Sequence, residues 1–108
     1  MKRGEVWWVE FEPLVGSEIR KTRPAVIVSN DAANRNLLRV VVVPITSNMK
    51  HLYPGEAVVV VNGKQGKVMA DQIMAADKSR LKDRVGELSK TDLLRVEDAI
   101  RQHLAMPR

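Results

Sequence analysis

The stretch GSEIRKTRP, residues 16–24, runs directly into AVIVSND, residues 25–31. A polar segment of mixed charge ends at Pro24, and an apolar, β-branched segment follows. Proline fixes its own φ and holds the residue before it extended, so Arg23 is expected at the start of a strand. A side chain held rigidly after a glycine-led loop is typical of a binding site, although a simple surface charge fits the same pattern.

Alternating or continuous apolar runs predict five or six short strands, bounded by turn residues, with the last segment as the optional sixth. The predicted strands are Glu5–Phe11, Pro24–Ser29, Leu37–Ile45, Glu56–Val61, Lys67–Met74 and Arg84–Leu88. Glu12–Thr22 is interpreted as a long loop, and Asn30–Asn36 as a turn. Pro44 lacks an N–H group, which predicts a sheet edge or a bulge at that position.

Two signals define the second half of the chain. Asn62-Gly63 predicts a tight hairpin, and Asp77 is placed to cap a single helical turn over Asp77–Lys82. Ser89 can cap a final helix whose apolar face carries Leu93, Val96, Ile100 and Leu104. Short strands with irregular loops and one terminal helix favour a mostly β, strongly curved small barrel with a C-terminal α-helix, as a single domain over residues 1–108.

Composition narrows the class of protein. The 108 residues contain no cysteine and only two histidines, so disulfides and a structural metal site are not expected. No apolar run approaches the roughly 20 residues of a membrane span, and no signal-peptide pattern is visible, which predicts a cytoplasmic protein without a membrane partner. The formal net charge of +5 suggests an anionic partner such as nucleic acid or an acidic protein.

The tryptophan pair in the first strand gives a surplus of aromatic surface. Trp7 and Trp8 point to opposite faces of a strand, so one of them is expected outside the main core. Packing under a loop or at a dimer interface is the favoured interpretation. A platform for stacking a nucleobase is the alternative.

Polar residues at strand ends are the candidate site. If the second and third strands are antiparallel neighbours, Arg23 and Thr46 meet at one rim of the barrel. A guanidinium can bind two phosphate oxygens and a hydroxyl can add a third hydrogen bond. With RNA, the substrate's own 2′-OH can be the nucleophile, and such a reaction needs charge stabilisation and proton transfer but no metal. A turn cap is the simpler interpretation of Thr46-Ser47.

The ordered set of motifs resembles the MazF/PemK/Kid family of toxin endoribonucleases. The matching segments are Arg3–Val9, Gly16–Glu18, Thr22–Val26, Ser29–Asp31, Pro44–Ser47 and Ala70–Ile73. The resemblance implies the SH3-like barrel of the MazF/CcdB-like toxin fold and a homodimer. It also implies metal-independent, sequence-specific cleavage of single-stranded RNA, mainly mRNA, without a cofactor, giving 2′,3′-cyclic phosphate and 5′-OH ends. The implied partner is a cognate antitoxin with an acidic, disordered tail.

The resemblance implies catalytic roles for Arg23 and Thr46, with Glu18 as the candidate base and Asp71 as its competitor. Some relatives carry a histidine where this chain has Thr22, so a histidine proton donor is not available at that position. The residues expected to contact RNA are Ser17, Thr22, Asn30, Asn34, Ser47, Asp71 and Gln72.

Two non-catalytic functions fit the same sequence. A small basic barrel could bind RNA or protein without cutting it. The gyrase-poison toxins, which have a related fold, act on a protein in this way. Those toxins do not share the pairing of Thr-Arg-Pro with Ile-Thr-Ser. The chain could also be an inactive relative that serves as a transcriptional co-repressor with its antitoxin.

Overall fold

The structure, a computed structural model, describes residues 1–11 and 21–107. These residues form seven strands: β1 (Glu5–Phe11), β2 (Lys21–Ile27), β3 (Arg39–Thr46), β4 (Glu56–Val61), β5 (Lys64–Met69), β6 (Met74–Asp77) and β7 (Leu81–Glu87). Two α-helices accompany them, α1 (Asp31–Asn36) and α2 (Lys90–His103), with 3₁₀ turns at Ala70–Gln72 and Lys78–Arg80. The strand order is β4-β5-β3-β2-β1-β7, every ladder is antiparallel, and β6 pairs with part of β3.

The predicted mostly β barrel with a C-terminal helix is confirmed. The two ends of the strand order approach each other where Asn62 Nδ2 donates a hydrogen bond to Val85 O at 2.8 Å, between β4 and β7. Helix α2 packs on β4, where Asp92 Oδ2 accepts a hydrogen bond from Val60 N at 2.9 Å. Among the described residues, neither helix has the length and apolar character needed to cross a bilayer.

Both faces of the central strands are buried, which explains their nearly continuous apolar sequence. In β2, Val26 faces one cluster of buried side chains while Ala25 and Ile27 face the other. The first cluster comprises Val6, Val26, Val43, Ile45, Val59, Val68, Leu88 and Val96. The second comprises Val9, Ala25, Ile27, Val40, Val42, Ala76 and Leu81. The curled sheet and α2 therefore enclose small β-branched side chains rather than large aromatic ones.

Pro44 does not lie in an edge strand, and that part of the prediction is wrong. β3 is central, with β2 on one side and two successive partners on the other. Residues 39–42 pair with β6 and residues 45–46 pair with β5, so Pro44 falls in the gap between these ladders. The missing N–H group therefore removes no hydrogen bond from either ladder. Gly66 lets β5 approach β3 closely there, since a Cβ at residue 66 would lie 2.6 Å from Ile45 Cγ2.

The segment predicted as a turn at Asn30–Asn36 contains α1 instead. Asn30 caps this helix, with its Oδ1 accepting from Ala33 N at 2.8 Å. Asp31 Oδ1 accepts from the backbone N–H of Arg3 at 2.7 Å, and this hydrogen bond lowers the pKa of Asp31. Asparagine and aspartate favour helix starts as well as turns, so composition alone did not separate the two structures.

Other boundaries also differ from the prediction. β2 begins at Lys21 rather than Pro24, and the predicted return strand Lys67–Met74 is split into β5, a 3₁₀ turn and β6. β7 begins at Leu81, earlier than the predicted Arg84. The Asn62-Gly63 hairpin is confirmed, with positive φ values of 51° and 77° as a primed turn requires. Ser89 caps α2, its Oγ accepting from Asp92 N at 3.1 Å.

Candidate active site

The register of β2 against β3 brings the two predicted catalytic residues together. Ala25 pairs with Pro44, and continuing this register outward along both strands places Arg23 opposite Thr46. Directly opposed residues of an antiparallel pair share one face of the sheet. Pro24 holds Arg23 in an extended backbone, and Thr46 ends β3, so both side chains stand where the sheet meets solvent.

Arg23 and Thr46 line one cavity of about 550 Å³ at the open end of the barrel. This cavity lies between the start of β2, the end of β3, the β4–β5 hairpin and β7. Its lining residues are Trp8, Arg23, Pro24, Ile45, Thr46, Ser47, Val61, Asn62, Lys64, Gln65, Gly66 and Val85. The volume lies within the range of about 300–1,000 Å³ that is usual for ligand sites. We call it the barrel-mouth cavity.

The polar groups of this cavity suit an anion. Arg23 is half-buried and forms no ion pair with residues 1–11 or 21–107, so its guanidinium is available to a ligand. Thr46 Oγ1 accepts a hydrogen bond from Asn48 N at 3.2 Å, which leaves its hydroxyl proton free to donate. Lys64 adds a second cation at the rim of the cavity. The arrangement offers a planar fork, a hydroxyl and a point charge to phosphate oxygens.

A buried ion pair fixes the loop that follows Thr46. Lys67 stands opposite Thr46 in the β3–β5 ladder and is only 6% exposed. Its Nζ lies 3.2 Å from Glu56 Oε1 and donates a hydrogen bond to His51 O. The same ammonium lies 5.7 Å from the centroid of the Tyr53 ring, within the range of a cation–π interaction. Lys67 therefore ties residues 47–55, including Ser47 in the cavity wall, to the sheet.

The structure does not bring all the predicted RNA contacts into the barrel-mouth cavity. Ser47 lines the cavity and Thr22 is exposed beside it on β2. Asn30 is exposed but caps α1, while Asp71 and Gln72 are exposed on the 3₁₀ turn after β5 and do not line the cavity. Ser17 and Glu18 lie outside the described residues.

Asn34 has a structural role in the described chain. Its side chain is 2% exposed, and its Nδ2 donates to Ser29 O at 2.9 Å. Its Oδ1 is 2.5 Å from Ser29 Oγ, so the amide connects α1 to the end of β2. Both polar atoms are thus used within the fold, and we do not include Asn34 in the RNA site proposed below.

Sequence reasoning missed the far wall of the cavity, formed by the β4–β5 hairpin and β7. Asn62, Lys64, Gln65 and Val85 contribute to this wall. The Asn62-Gly63 signal predicted the hairpin but carried no information about which strand end it would face. Only the closure of β4 on β7 places the hairpin beside Arg23.

A larger cavity of about 820 Å³ lies between α2 and β4 and contains none of the predicted site residues. Two arginines line it, but Arg95 NH1 lies 3.0 Å from Asp92 Oδ1 and Arg101 NH1 lies 3.3 Å from Asp98 Oδ1. Because carboxylates already neutralise these charges, this groove is a weaker anion site than the barrel-mouth cavity. Across residues 1–11 and 21–107, no three His, Asp or Glu side chains cluster in a way that could hold a metal ion.

Comparison with known proteins gives a match along nearly the whole chain. Residues 2–104 match the family described as PemK-like, MazF-like toxin of type II toxin–antitoxin system. The endoribonuclease MazF9 of Mycobacterium tuberculosis is 38% identical over 113 residues, covering 96% of each chain. The endoribonuclease EndoA of Bacillus subtilis is 29% identical, covering 98% of this chain and 96% of its own.

Solved structures agree with the sequence match. A mycobacterial endoribonuclease in complex with its cognate antitoxin superposes with a TM-score of 0.82 at 28% identity, covering 100% of this chain and 98% of its own. A MazE–MazF complex from Deinococcus radiodurans gives a TM-score of 0.83 at 29% identity, covering 99% and 97%.

Proposed function

The chain belongs to the PemK-like, MazF-like toxins of type II toxin–antitoxin systems, and from this we propose that it is an endoribonuclease that cuts single-stranded RNA, chiefly mRNA, at the barrel-mouth cavity. The observation that carries the proposal is the convergence of Arg23 and Thr46 on one open cavity. The whole chain, residues 1–108, would act as one toxin domain in the cytoplasm, where cutting mRNA stops translation and growth. The match over residues 2–104 supports this extent.

The proposed reaction is an internal transesterification. The 2′-OH attacks the adjacent phosphorus, the bond to the 5′ oxygen breaks, and the products are a 2′,3′-cyclic phosphate and a 5′-OH. Negative charge on the non-bridging oxygens increases in the transition state, and the Arg23 guanidinium would stabilise it through two parallel hydrogen bonds. The Thr46 hydroxyl would add a third. The nucleophile belongs to the RNA, and both stabilising groups belong to the protein.

Proton transfer requires a base that removes the proton of the 2′-OH and a source of the proton that the departing 5′ oxygen gains. The two transfers balance, so the protonated base or water can supply the second proton. Arg23 is unsuited to act as the base because a guanidinium does not deprotonate in proteins. We assign the base to Glu18, which precedes Arg23 in the β1–β2 connection. The alternative carboxylate, Asp71, is exposed on the 3₁₀ turn and does not line the cavity, which favours Glu18.

We predict that cleavage continues in EDTA, because the charge stabilisation proposed here comes from Arg23 and Thr46. The experiment incubates purified protein with a long RNA in EDTA and maps the new 5′ ends, which should carry hydroxyl groups. Loss of cleavage on chelation, restored by Mg²⁺, would contradict the mechanism. Binding of the RNA without any cutting would favour the non-catalytic binding module instead.

We further propose a cognate antitoxin whose acidic, disordered segment occupies the barrel-mouth cavity. The net charge of +5 and the cations Arg23 and Lys64 at the cavity support an acidic ligand. One solved relative is an endoribonuclease in complex with its cognate antitoxin, and another is a MazE–MazF complex, which supports a protein partner of this class. Occupation of Arg23 by a carboxylate would block the phosphate directly.

We also propose that the protein is a homodimer and that β6 contributes to its interface. Among residues 1–11 and 21–107, β6 pairs with β3 alone. Exposed apolar side chains lie at both of its ends, Met74 at one end and Leu38, which is 80% exposed, beside the other. Sedimentation at micromolar concentration should show a dimer, and Leu38→Lys should weaken it. A wild-type monomer would contradict the dimer, and an unaffected variant would contradict this surface.

A further inference from the structure

Trp8 is the aromatic side chain of the barrel-mouth cavity. It is 41% exposed, whereas Trp7 is half-buried and packs against the second cluster of buried side chains, which contains Val9. Trp8 stands opposite Pro24 in the β1–β2 ladder, and both residues line the same cavity as Arg23. A large indole exposed in a concave site leaves apolar surface in contact with water. A ligand that covers this surface gains the free energy of its burial.

The backbone of β1 is irregular at this position. The register between β1 and β7 shifts between Val6 and Trp7 and again between Trp7 and Val9. Trp8 therefore has no paired residue on β7, although its neighbours do. Bulges of this kind bend a strand and turn a side chain toward a site, and they are frequent beside active sites.

The other walls around Trp8 suit the faces and the edge of a flat ring. Pro24, Val61 and Val85 provide apolar surface, while Gln65 provides an exposed amide with both a donor and an acceptor. Arg23 and Thr46 lie in the same cavity. A nucleotide combines a flat ring that has apolar faces and a polar edge with a phosphate, so it matches this set of groups.

We propose that Trp8 is the stacking platform for one nucleobase next to the scissile phosphate, and that Gln65 hydrogen-bonds to the edge of that base. This inference rests on the proposed function, because it places the phosphate at Arg23. It assigns part of the sequence preference to the β4–β5 hairpin, which carries Gln65. Trp8 itself would bind any base, since all bases have a π-face, and Gln65 would discriminate among them.

The test measures coupling between Trp8 and one nucleotide. The probe is a short RNA that contains the mapped cleavage site, with a 2′-deoxy nucleotide at the point of attack so that it cannot be cut. Abasic nucleotides replace the bases on either side of the scissile phosphate, one at a time. Dissociation constants are measured for the wild type, Trp8→Ala and Trp8→Phe, with Leu94→Ala, an exposed apolar residue of α2, as the control.

Trp8→Ala should weaken binding of the intact probe by about 5- to 150-fold, as for the loss of one stacked base. An abasic nucleotide at one position should weaken binding to the wild type by a similar factor. The same abasic nucleotide should hardly change the dissociation constant of Trp8→Ala, because both changes remove the same contact. Trp8→Phe should retain most of the affinity and the dependence on that position. Leu94→Ala should bind like the wild type.

The inference would be overturned if every abasic nucleotide weakened binding by the same factor in Trp8→Ala as in the wild type, because the two changes would then act independently. It would also be overturned if Trp8→Ala or Trp8→Phe were monomeric where the wild type is a dimer, while each abasic nucleotide weakened binding as much as in the wild type. That result would assign Trp8 to an interface between copies. If the wild type still cuts RNA in either case, the proposed function stands and only the base subsite fails. If the wild type cuts no RNA, both fail.

Discussion

Replacing Arg23 by alanine is expected to slow single-turnover RNA cleavage by a factor on the order of 10²–10³, the cost of removing one charge-stabilising donor from a transition state. The guanidinium stands at the barrel-mouth cavity without an ion-pair partner in the described parts of the chain. Its role is greatest when charge accumulates on the phosphate oxygens. RNA affinity should therefore fall far less than the rate, because the ground-state phosphate carries less of that charge.

Three further variants separate this role from simple charge. Arg23→Lys should recover only part of the rate, because an ammonium cannot make two parallel hydrogen bonds. Thr46→Ala should cost less than Arg23→Ala, and Thr46→Ser, which keeps the hydroxyl, should retain much of the activity. All four variants should fold, since both side chains stand at the rim of the barrel. If Arg23→Ala is folded and cuts RNA at nearly the wild-type rate, the assignment of the site is wrong.

Lys67→Met is expected to produce the largest loss of stability, about 3–5 kcal/mol in the free energy of unfolding. It removes the cation from a buried pair and leaves the carboxylate of Glu56 without its counter-charge. Glu56 would keep its hydrogen bond from Tyr53 N, 2.7 Å long, but would lose its ion-pair partner. The loop over residues 47–55 would also lose the hydrogen bond to His51 O. Chemical denaturation followed by circular dichroism measures the change.

A matched pair of controls tests the physical cause. The double variant Lys67→Met with Glu56→Gln should be more stable than Lys67→Met alone, because no unpaired charge remains and the amide oxygen can still accept from Tyr53 N. Lys64→Met, on the same strand but exposed, should change stability by no more than about 0.5 kcal/mol. A loss below about 1 kcal/mol for Lys67→Met would show that the pair contributes little to the fold.

Much of the fold was predictable because its signals are local. The first strand, the Asn62-Gly63 hairpin, the cap at Ser89 and the extended Arg23 before Pro24 follow from φ preferences, turn chemistry and apolar periodicity. The pairing of Arg23 with Thr46 was predicted conditionally, on the assumption that β2 and β3 are antiparallel neighbours. The observed register meets that condition.

Burial and exposure were not predictable in the same way. Asn34 was expected at the RNA and is buried, because α1 forms where a turn was predicted and Ser29 binds its amide. Lys67 looked like an ordinary strand residue, yet it is enclosed because the loop after β3 folds over it. Asp71 and Gln72 follow β5 on a 3₁₀ turn away from the cavity, where a continuous strand had been predicted.

The sequence by itself determined the first strand, where the hairpin turns, where α2 begins, and that Arg23 lies in an extended segment before Pro24, because each depends on neighbouring residues alone. Only the tertiary structure decided that Trp8 rather than Trp7 is exposed, since the shifted register with β7 and the buried Val9 cluster set the direction of both side chains. It also decided that the β4–β5 hairpin faces Arg23. Both outcomes depend on contacts between segments far apart in the chain, and the energy of such contacts has no local signature in the sequence.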